Sequence, residues 1–404
     1  MQLSIPRRLG RRSRAVLVAA VAAAALTAAV PAQATAQATA QAAPPATHAI
    51  AWGKGGFGQL GDGGYADQQL PVKVRAEEQG FTEVAGSLTH SLAIAADGSV
   101  WAWGQNNNGQ LGDGGHTDSN VPVKVQGLTG VVEVAAGWGF SLARTGDGHV
   151  WAWGVNNDGQ LGLGAFGGSY ATPQPVGELR GITHIEAGWF HSMALRNDFS
   201  VLVWGDNSRG QLGDGTNAAK ASPTVLPGLG GESGPVYDIA AGFSHSLAVR
   251  SDGTLLAWGA NNSGQLGNGT TSVTASYSPV HVVGRYGQVR AVAAGCRHSY
   301  LVDGSGNVWG WGDNTEAQVA FTGALVKQPQ LVPGLSDVKD VAAGCAFGLA
   351  LTGGGEAYGW GQYNSGQTGT GVPVPMPPRP NAWGPGLTFI AAGGDHGLAI
   401  RKTG

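Results

Sequence analysis

Residues 240–269 read AAGFSHSLAVRSDGTLLAWGANNSGQLGNG, and the two phrases in this stretch return along the chain. One phrase is an apolar strand that ends in Trp-Gly, followed by an Asn/Gly-rich turn and Gly-Gln-Leu-Gly. The other phrase is Ala-Gly-x-x-His-Ser-Leu-Ala. Neighbouring Trp-Gly copies lie 49 to 54 residues apart. Seven copies at this period predict a repeat architecture.

Each phrase keeps one aromatic or imidazole side chain at a fixed position. The repeated tryptophans are Trp52, Trp103, Trp153, Trp204, Trp258, Trp311 and Trp360. The repeated histidines are His90, His191, His245, His298 and His396, and Phe140 and Phe347 take their place in the other two copies. A catalytic or metal-binding histidine would not recur in five copies and give way to phenylalanine in two. We therefore interpret these histidines as structural groups that satisfy the backbone near the axis of the repeat.

One repeat reads as four short antiparallel strands. Residues 131–176 contain the strand candidates VVEVAAG, FSLART, HVWAWG and QPV, separated by Gly, Asn and Asp turns. A single sheet of this kind cannot bury both faces, whereas stacked neighbours can. The repeats therefore predict an all-β fold, a seven-bladed β-propeller of four-stranded antiparallel blades with tryptophans between the blades. A linear β-solenoid is the alternative, but about 51 residues are too many for one coil.

The two ends of the repeat region complement each other. The first copy, from His48 to Trp52, has the tryptophan strand without a preceding Ala-Gly strand. The last copy, FIAAGGDHGLAIRK, has the Ala-Gly strands without a following tryptophan strand. We expect the N- and C-terminal strands to share one blade and so to close the ring.

The N-terminal residues carry the pattern of an export signal. Five arginines precede the 16-residue apolar run 15–30, and Ala32-Gln33-Ala34 offers a small-x-small cleavage site. The alternative, a membrane anchor, needs about 20 apolar residues. We predict a signal peptide at residues 1–34, cleaved near Ala34, a low-complexity tether at 35–47 and the propeller at 48–404. The predicted localisation is secreted and extracellular, without a membrane span.

Charge argues against a nucleic-acid partner. Only 12% of the residues are charged, and removal of the five signal arginines leaves 18 basic and 26 acidic residues. Binding to nucleic acid requires clustered Lys and Arg. We see no zinc-binding helix pattern and no nucleophile elbow, so we expect no metal, no cofactor and no catalytic residues.

The two cysteines, Cys296 and Cys345, occupy the same position in consecutive repeats. Equivalent positions near the axis of adjacent blades can approach the Cα separation that a disulfide needs, roughly 4.4–6.8 Å. An exported protein favours oxidation. The sequence thus suggests a disulfide between them, with two free thiols as the alternative.

Two positions between each Ala-Gly and the histidine position vary from copy to copy. They read Ser87-Leu88, Trp138-Gly139, Trp189-Phe190, Phe243-Ser244, Cys296-Arg297, Cys345-Ala346 and Gly394-Asp395. A fixed scaffold with variable positions is typical of a repeat protein's binding site. The candidate binding residues are Leu88, Trp138, Trp189, Phe190, Phe243 and Arg297. The alternative is that the aromatic side chains only cap the core at the channel.

The repeat resembles the regulator of chromosome condensation repeat family, whose signature AxGxxHSLAL-x-DGxVWxWGxNxxGQLGxG matches residues 240–269. The match extends from about residue 48 to 401 and implies a seven-bladed propeller, here similar to a secreted bacterial member. Family members include GTPase exchange factors, a plant UV-B photoreceptor and ubiquitin-ligase modules. One fold hosts many functions, so the resemblance alone does not assign one.

We expect a secreted, monomeric, non-enzymatic propeller that binds an unidentified protein or cell-surface ligand through the variable face, as an inhibitor or adaptor. One alternative is a propeller-platform hydrolase or lyase, for which the aberrant turn at residues 313–318 is the first suspect. An exchange factor-like protein is disfavoured by export, because it would not meet a cytosolic GTPase. An inert structural component of the envelope is a further alternative.

Overall fold

The computed structural model describes residues 47–76, 80–231, 234–319, 323–372, 377–382 and 384–402, which form 28 strands in seven four-stranded sheets. These residues contain no helix, and so none with the length and apolar character to cross a membrane. The predicted signal peptide lies outside the described residues, as does the predicted tether except for Thr47, where the first strand begins.

The strands of each blade occupy four positions between the axis of the ring and its rim, and the blades are numbered 1 to 7 in the order of their innermost strands. These innermost strands are β3 (Phe81–Gly86), β7 (Val131–Gly137), β11 (Ile182–Ala187), β15 (Val236–Ala241), β19 (Val289–Ala294), β23 (Val338–Ala343) and β27 (Leu387–Ala392). The second strands are β4 (His90–Ala95), β8 (Phe140–Thr145), β12 (His191–Arg196), β16 (His245–Arg250), β20 (His298–Asp303), β24 (Phe347–Thr352) and β28 (His396–Lys402). The third strands are β5 (Val100–Gly104), β9 (Val150–Val155), β13 (Val201–Gly205), β17 (Leu255–Asn261), β21 (Val308–Asp313), β25 (Ala357–Gly361) and β1 (Thr47–Gly53). The outer strands are β6 (Ser119–Lys124), β10 (Ser169–Pro175), β14 (Lys220–Val225), β18 (Ser272–His281), β22 (Leu325–Leu331), β26 (Arg379–Pro380) and β2 (Gln68–Lys73).

The ring closes through blade 7, in which the strand order is β2-β1-β28-β27. Strand β1 pairs antiparallel with β28 without a register shift, from Thr47 opposite Lys402 to Gly53 opposite His396. The seven-bladed propeller and its closure by both terminal strands, predicted from the repeats, are confirmed.

A tryptophan fills the layer between each pair of blades. All seven repeated tryptophans are fully buried, and Trp153 of blade 2, for example, packs against Leu92 and Val100 of blade 1. Each indole Nε1 donates a hydrogen bond of 2.8–2.9 Å to a backbone carbonyl in the preceding blade. The acceptors are the carbonyls of Gln59, Gln110, Gln160, Gln211, Gln265, Gln318 and Gln367. The Gly-Gln-Leu-Gly turn of one blade therefore anchors the tryptophan of the next.

Glycine is required where the blades meet at the axis. A Cβ on Gly188 would lie 2.6 Å from the carbonyl oxygen of Gly242 in the next blade, and one on Gly242 would lie 2.6 Å from that of Gly295. Any side chain there would force the backbones apart.

Blade 1 corrects the sequence alignment of the first copy. The amide of Ser87 donates to the carbonyl of His90, as the amide of Gly188 does to His191. Ser87, not Gly86, therefore holds the structural position of the repeated glycine, because Gly86 pairs with Ser91 as Ala187 of blade 3 pairs with Ser192 and so takes the place of the alanine. The variable pair in blade 1 is Leu88-Thr89 rather than Ser87-Leu88.

Candidate functional site

The repeated histidines link neighbouring blades through serine. Nε2 of His245 lies 2.9 Å from Oγ of Ser299 in the next blade, and that hydroxyl donates at 3.0 Å to the carbonyl of Gln265. The same link joins His90 to Ser141, His191 to Ser246 and His396 to Ser91. In these four blades the histidine contacts the backbone through the serine and not directly as we expected. The carbonyl that accepts from the serine also accepts from the tryptophan.

Burial keeps the five histidines neutral, and in four of them the serine fixes which nitrogen carries the proton. Because the serine proton goes to the glutamine carbonyl, Nε2 must carry the imidazole proton and donate it to the serine oxygen. Burial lowers the pKa of His191 and His298 to about 4. Burial, aided for two of them by neighbouring histidines, lowers the pKa of His90, His245 and His396 to about 3. A neutral imidazole that donates to serine serves packing and does not activate a nucleophile.

Blade 6 departs from this pattern, and the repeat signature did not predict the compensation. Register places Gly348 at the serine position of blade 6. The hydroxyl of Tyr300, from blade 5, donates to the carbonyl of Gln318 in its stead and is fully buried. A Cβ on Gly348 would overlap Cζ2 of Trp360 and lie 2.7 Å from the Tyr300 oxygen, so the glycine makes room for both the indole and the phenol. The available signal in the sequence was that two adjacent repeats, HSYLV and FGLAL, both differ from the His-Ser-Leu-Ala pattern.

The scaffold uses the backbone of the two variable positions but not their side chains. At the first position, the amides of Trp138, Trp189 and Phe243 donate to carbonyls of the next blade. At the second position, the carbonyls of Phe190 and Arg297 accept from the turns after the tryptophan strands, at Asp206 and Asp313. The side chains of Trp138, Trp189, Phe190, Phe243 and Arg297 are therefore not needed for the hydrogen bonds of the blades.

Four aromatic rings from three consecutive blades form a cluster on this face, which we call the aromatic cluster (Trp138, Trp189, Phe190 and Phe243). Phe190 lies 5.1 Å from Trp138 and 5.9 Å from Phe243 between ring centroids, and Trp189 lies 4.4 Å from Phe243. Their edge-to-face geometry is favourable. Trp138 is 41% exposed, and the other three rings are half-buried. The structure thus brings together four of the six predicted binding residues.

The remaining two predicted binding residues lie beside this cluster. Leu88 lines the mouth of the central channel with Trp138 and Trp189. Arg297 is exposed and lies with Phe243 in an adjacent groove. The cavity at the channel mouth has a volume of about 70 Å³, too small for the small-molecule sites of roughly 300–1,000 Å³ that proteins commonly form. A ligand at the channel mouth would therefore have to extend onto the surrounding face.

A disulfide joins Cys296 of blade 5 to Cys345 of blade 6, with Cα atoms 4.5 Å apart. Both cysteines line the channel mouth. The bond crosses one of the junctions that lack the histidine–serine link, the one where Gly348 takes the serine position.

The described residues contain no candidate metal centre, and the turn at 313–318 is a regular one. Among them, no group of three His, Cys, Asp or Glu side chains is arranged to hold a metal ion. The suspected turn at 313–318 keeps the scaffold contacts of its counterparts, since the Gln318 carbonyl accepts from Trp360 and Ala317 adopts a φ of 56°. That turn therefore performs the structural role of the regular ones.

Protein-family models and sequence relatives match the chain over its repeats. The RCC1-like domain matches residues 32–285, and the regulator of chromosome condensation (RCC1) repeat matches 289–318 and 305–351. The ultraviolet-B receptor UVR8 of Arabidopsis thaliana is 32% identical over 292 residues, covering 71% of this chain and 66% of the receptor. The human E3 ubiquitin-protein ligase HERC2 is 33% identical over 257 residues, covering 62% of this chain and 5% of the ligase. The chain thus spans just under two thirds of the receptor and a small part of the ligase.

Two solved structures share the fold. Human WBSCR16 matches with a TM-score of 0.78 and 26% identity over 89% of this chain and 99% of its own. Prp20p of Saccharomyces cerevisiae, whose structure was described with its binding properties to Gsp1p and histones, matches with a TM-score of 0.79 over 90% of this chain and 93% of its own. At 24% identity the second likeness concerns the fold alone. From the repeats, the blades and the match over residues 32–285, the chain belongs to the RCC1-like, or regulator of chromosome condensation, repeat family.

Proposed function

We propose that this protein is a secreted, non-enzymatic binding propeller that recognises a protein partner through the aromatic cluster. The observation that carries the proposal is the placement of four aromatic rings, from three consecutive blades, at positions whose side chains the scaffold does not use. Clustered Trp and Phe at a surface are enriched at protein interaction sites.

The fold supports recognition of a surface more than a reaction. The repeated histidines are buried and neutral, and the channel mouth cannot enclose a small substrate. The similarity to a relative named as a receptor, and to a short region of one named as a ubiquitin ligase, fits a binding or regulatory role. Export, inferred from residues 1–34, makes an extracellular protein or a cell-surface ligand the expected partner.

Substitution of Trp189 by alanine tests the proposal. We expect Trp189→Ala to abolish capture of the natural partner from culture medium or envelope extract, while the melting temperature changes little, because the ring is half-buried on the face. Truncating an interface hot spot typically costs about 2 kcal/mol or more of binding free energy. Capture is measured by affinity purification with mass spectrometry, and folding by thermal unfolding.

Val132→Ala is the matched control. Val132 is 45% exposed, and Trp138 is 41% exposed. Val132 lies near the start of strand β7, whereas Gly137 lies at its other end, at the channel mouth. This variant should capture the same partner as the wild type. Equal capture by Trp189→Ala, or unfolding as severe as that of the core variant Trp153→Ala, would refute the proposed face.

A further inference from the structure

A groove of about 280 Å³ lies beside the aromatic cluster, over the face of blade 4. Its floor contains Phe243, Ser244, Ala260 and the turn at 261–262. Strand β18 forms one wall. It has ten residues, where the other outer strands have two to seven, and its extension pairs Ser272 with Asn261 on this face. The groove is therefore specific to one blade and is not a product of the repeat.

Two arginines border the groove from opposite neighbours of blade 4. Arg209 comes from the turn of blade 3, and Arg297 from the variable pair of blade 5. Both are exposed, and within the described residues no carboxylate lies within ion-pair distance of either guanidinium. The lining contains no Asp or Glu, although the chain as a whole has 26 acidic and 23 basic residues.

The aspartates that begin these two turns are already engaged. Asp206, at the start of the blade 3 turn, accepts from the amide and hydroxyl of Ser208 and from Gln211. Asp313, whose amide binds the Arg297 carbonyl, accepts from the amide of Thr315. Both carboxylates cap their own turns, and the two guanidinium groups face the groove unpaired.

The groove also has an apolar side that joins it to the aromatic cluster. Val273, on the extension of β18, is 91% exposed and lines the wall. Phe243 lines the groove and also belongs to the aromatic cluster. A ligand with carboxylates for the arginines and an apolar side chain for Val273 and Phe243 would use every part of this surface.

Resting on the proposed function, we propose that this groove binds an acidic peptide segment of the protein partner, one that carries an aromatic or aliphatic side chain among its Asp and Glu residues. A nucleic acid would require a longer track of basic side chains for its phosphates. A small anion would leave the apolar wall unused. The acidic segment would lead an extended chain from the arginines toward the aromatic cluster.

Selection from a random peptide library displayed on phage, with the folded protein as bait, tests this inference. We expect the enriched peptides to be net acidic and to contain Phe, Trp or Leu. Synthetic copies of them, followed by fluorescence anisotropy, should bind the Arg209→Ala/Arg297→Ala variant at least about tenfold more weakly. Their affinity should also fall as salt is added.

Arg285→Ala is the control for charge. Arg285 is exposed in the same blade, after the far end of β18, and within the described part of the chain has no ion pair. It should leave peptide affinity unchanged. The inference would be overturned if the selection enriched basic or neutral peptides or enriched none. It would also be overturned if the peptides bound the double variant as tightly as the wild type, or if single-stranded DNA bound the wild type as tightly as the peptides do. If Trp189→Ala abolishes capture of the natural partner and any of these results is also obtained, the proposed function is supported and only the acidic segment is excluded.

Discussion

The junction between blades 4 and 5 and the junction between blades 5 and 6 hold their tryptophans by different means. In the first, Trp311 and Ser299 both donate to the carbonyl of Gln265, and His245 donates to the serine. In the second, Trp360 and Tyr300 share the carbonyl of Gln318, and a disulfide crosses the junction. The comparison teaches that the second donor to the glutamine carbonyl can be a serine of the following blade or a tyrosine of the same blade. At the junction between blades 6 and 7, Gly397 takes the serine position, and among the described residues only Trp52 donates to the Gln367 carbonyl, so the second donor is not a general requirement.

Removal of the tryptophan should be the largest effect and should be equal at both junctions. Trp311 and Trp360 are fully buried and make the same bond. We expect Trp311→Ala and Trp360→Ala each to lower the free energy of unfolding by about 3–5 kcal/mol, measured by denaturant titration. A much smaller loss for Trp360→Ala would mean that the disulfide, not the indole, carries the second junction.

Loss of the disulfide should affect the second junction alone. Replacing Cys296 and Cys345 by serine removes a crosslink that closes a sequence separation of 49 residues, so we expect a loss of about 2–4 kcal/mol in unfolding free energy. Added reductant should destabilise the wild type by a similar amount and leave the double variant unchanged. Two titratable thiols in the unreduced wild type would contradict the crosslink.

Acid should weaken the junctions that contain histidine. The folded-state pKa of His245 is lowered to about 3, so the unfolded chain binds more protons between the ordinary value of 6.5 and 3. Stability therefore falls as the pH decreases through that range, by on the order of 2 kcal/mol for each such histidine at about pH 5. His245→Phe should show a shallower pH dependence in denaturant titrations, at a loss of about 1 kcal/mol near neutral pH.

The chain contains its own precedent for that variant. Blade 2 has Phe140 at the histidine position, and the facing Ser192 still donates to Gln160. His245→Phe recreates this junction. An unchanged pH slope in the variant would assign the acid sensitivity to other groups.

The smallest expected effect concerns the substitute donor. Tyr300→Phe removes one of two donors to the Gln318 carbonyl and should cost about 1 kcal/mol of unfolding free energy. Gly348→Ser alone should destabilise more, because its Cβ would overlap Cζ2 of Trp360 and lie 2.7 Å from the phenol oxygen. Combined with Tyr300→Leu it should recover in part, since the pair removes the contact with the phenol and restores the leucine and serine of the regular junction with His298. If the double variant is no more stable than Gly348→Ser, the two junctions are not interchangeable.

The fold could be predicted from the sequence because its period and its tryptophans are local and repeated seven times. The hydrogen bond that anchors each tryptophan could not be predicted. Its acceptor, for example Gln265, acts through the backbone carbonyl, which leaves no signature in the sequence beyond the repeated turn. Tyr300 and Gly348 were missed for a related reason, since they face each other only after blades 5 and 6 are packed.

The candidate site was predictable in outline. Variable positions on a constant scaffold indicated the aromatic cluster, because equivalent residues of neighbouring blades must be neighbours in space. The first variable pair was placed one residue too early, because Ser87 replaces the repeated glycine and Gly86 replaces the alanine before it, which only the hydrogen bond to His90 and the strand register show. The groove could not be predicted from the sequence. It depends on the length of β18 and on the unpaired charges of Arg209 and Arg297, and whether a charge is paired depends on its neighbours in space.

Blade 7 has a consequence for the order of folding. Its third strand, β1, is near the beginning of the chain and pairs along its whole length with β28, near the end. Loops of that length close slowly, and contacts distant in sequence form late. During synthesis, β1 and β2 must therefore wait for almost the entire chain, while blades 1 to 6 can assemble from neighbouring segments as they emerge. We expect ring closure to be the last and slowest folding step, with the exposed edge of β1 the place where unfinished chains associate.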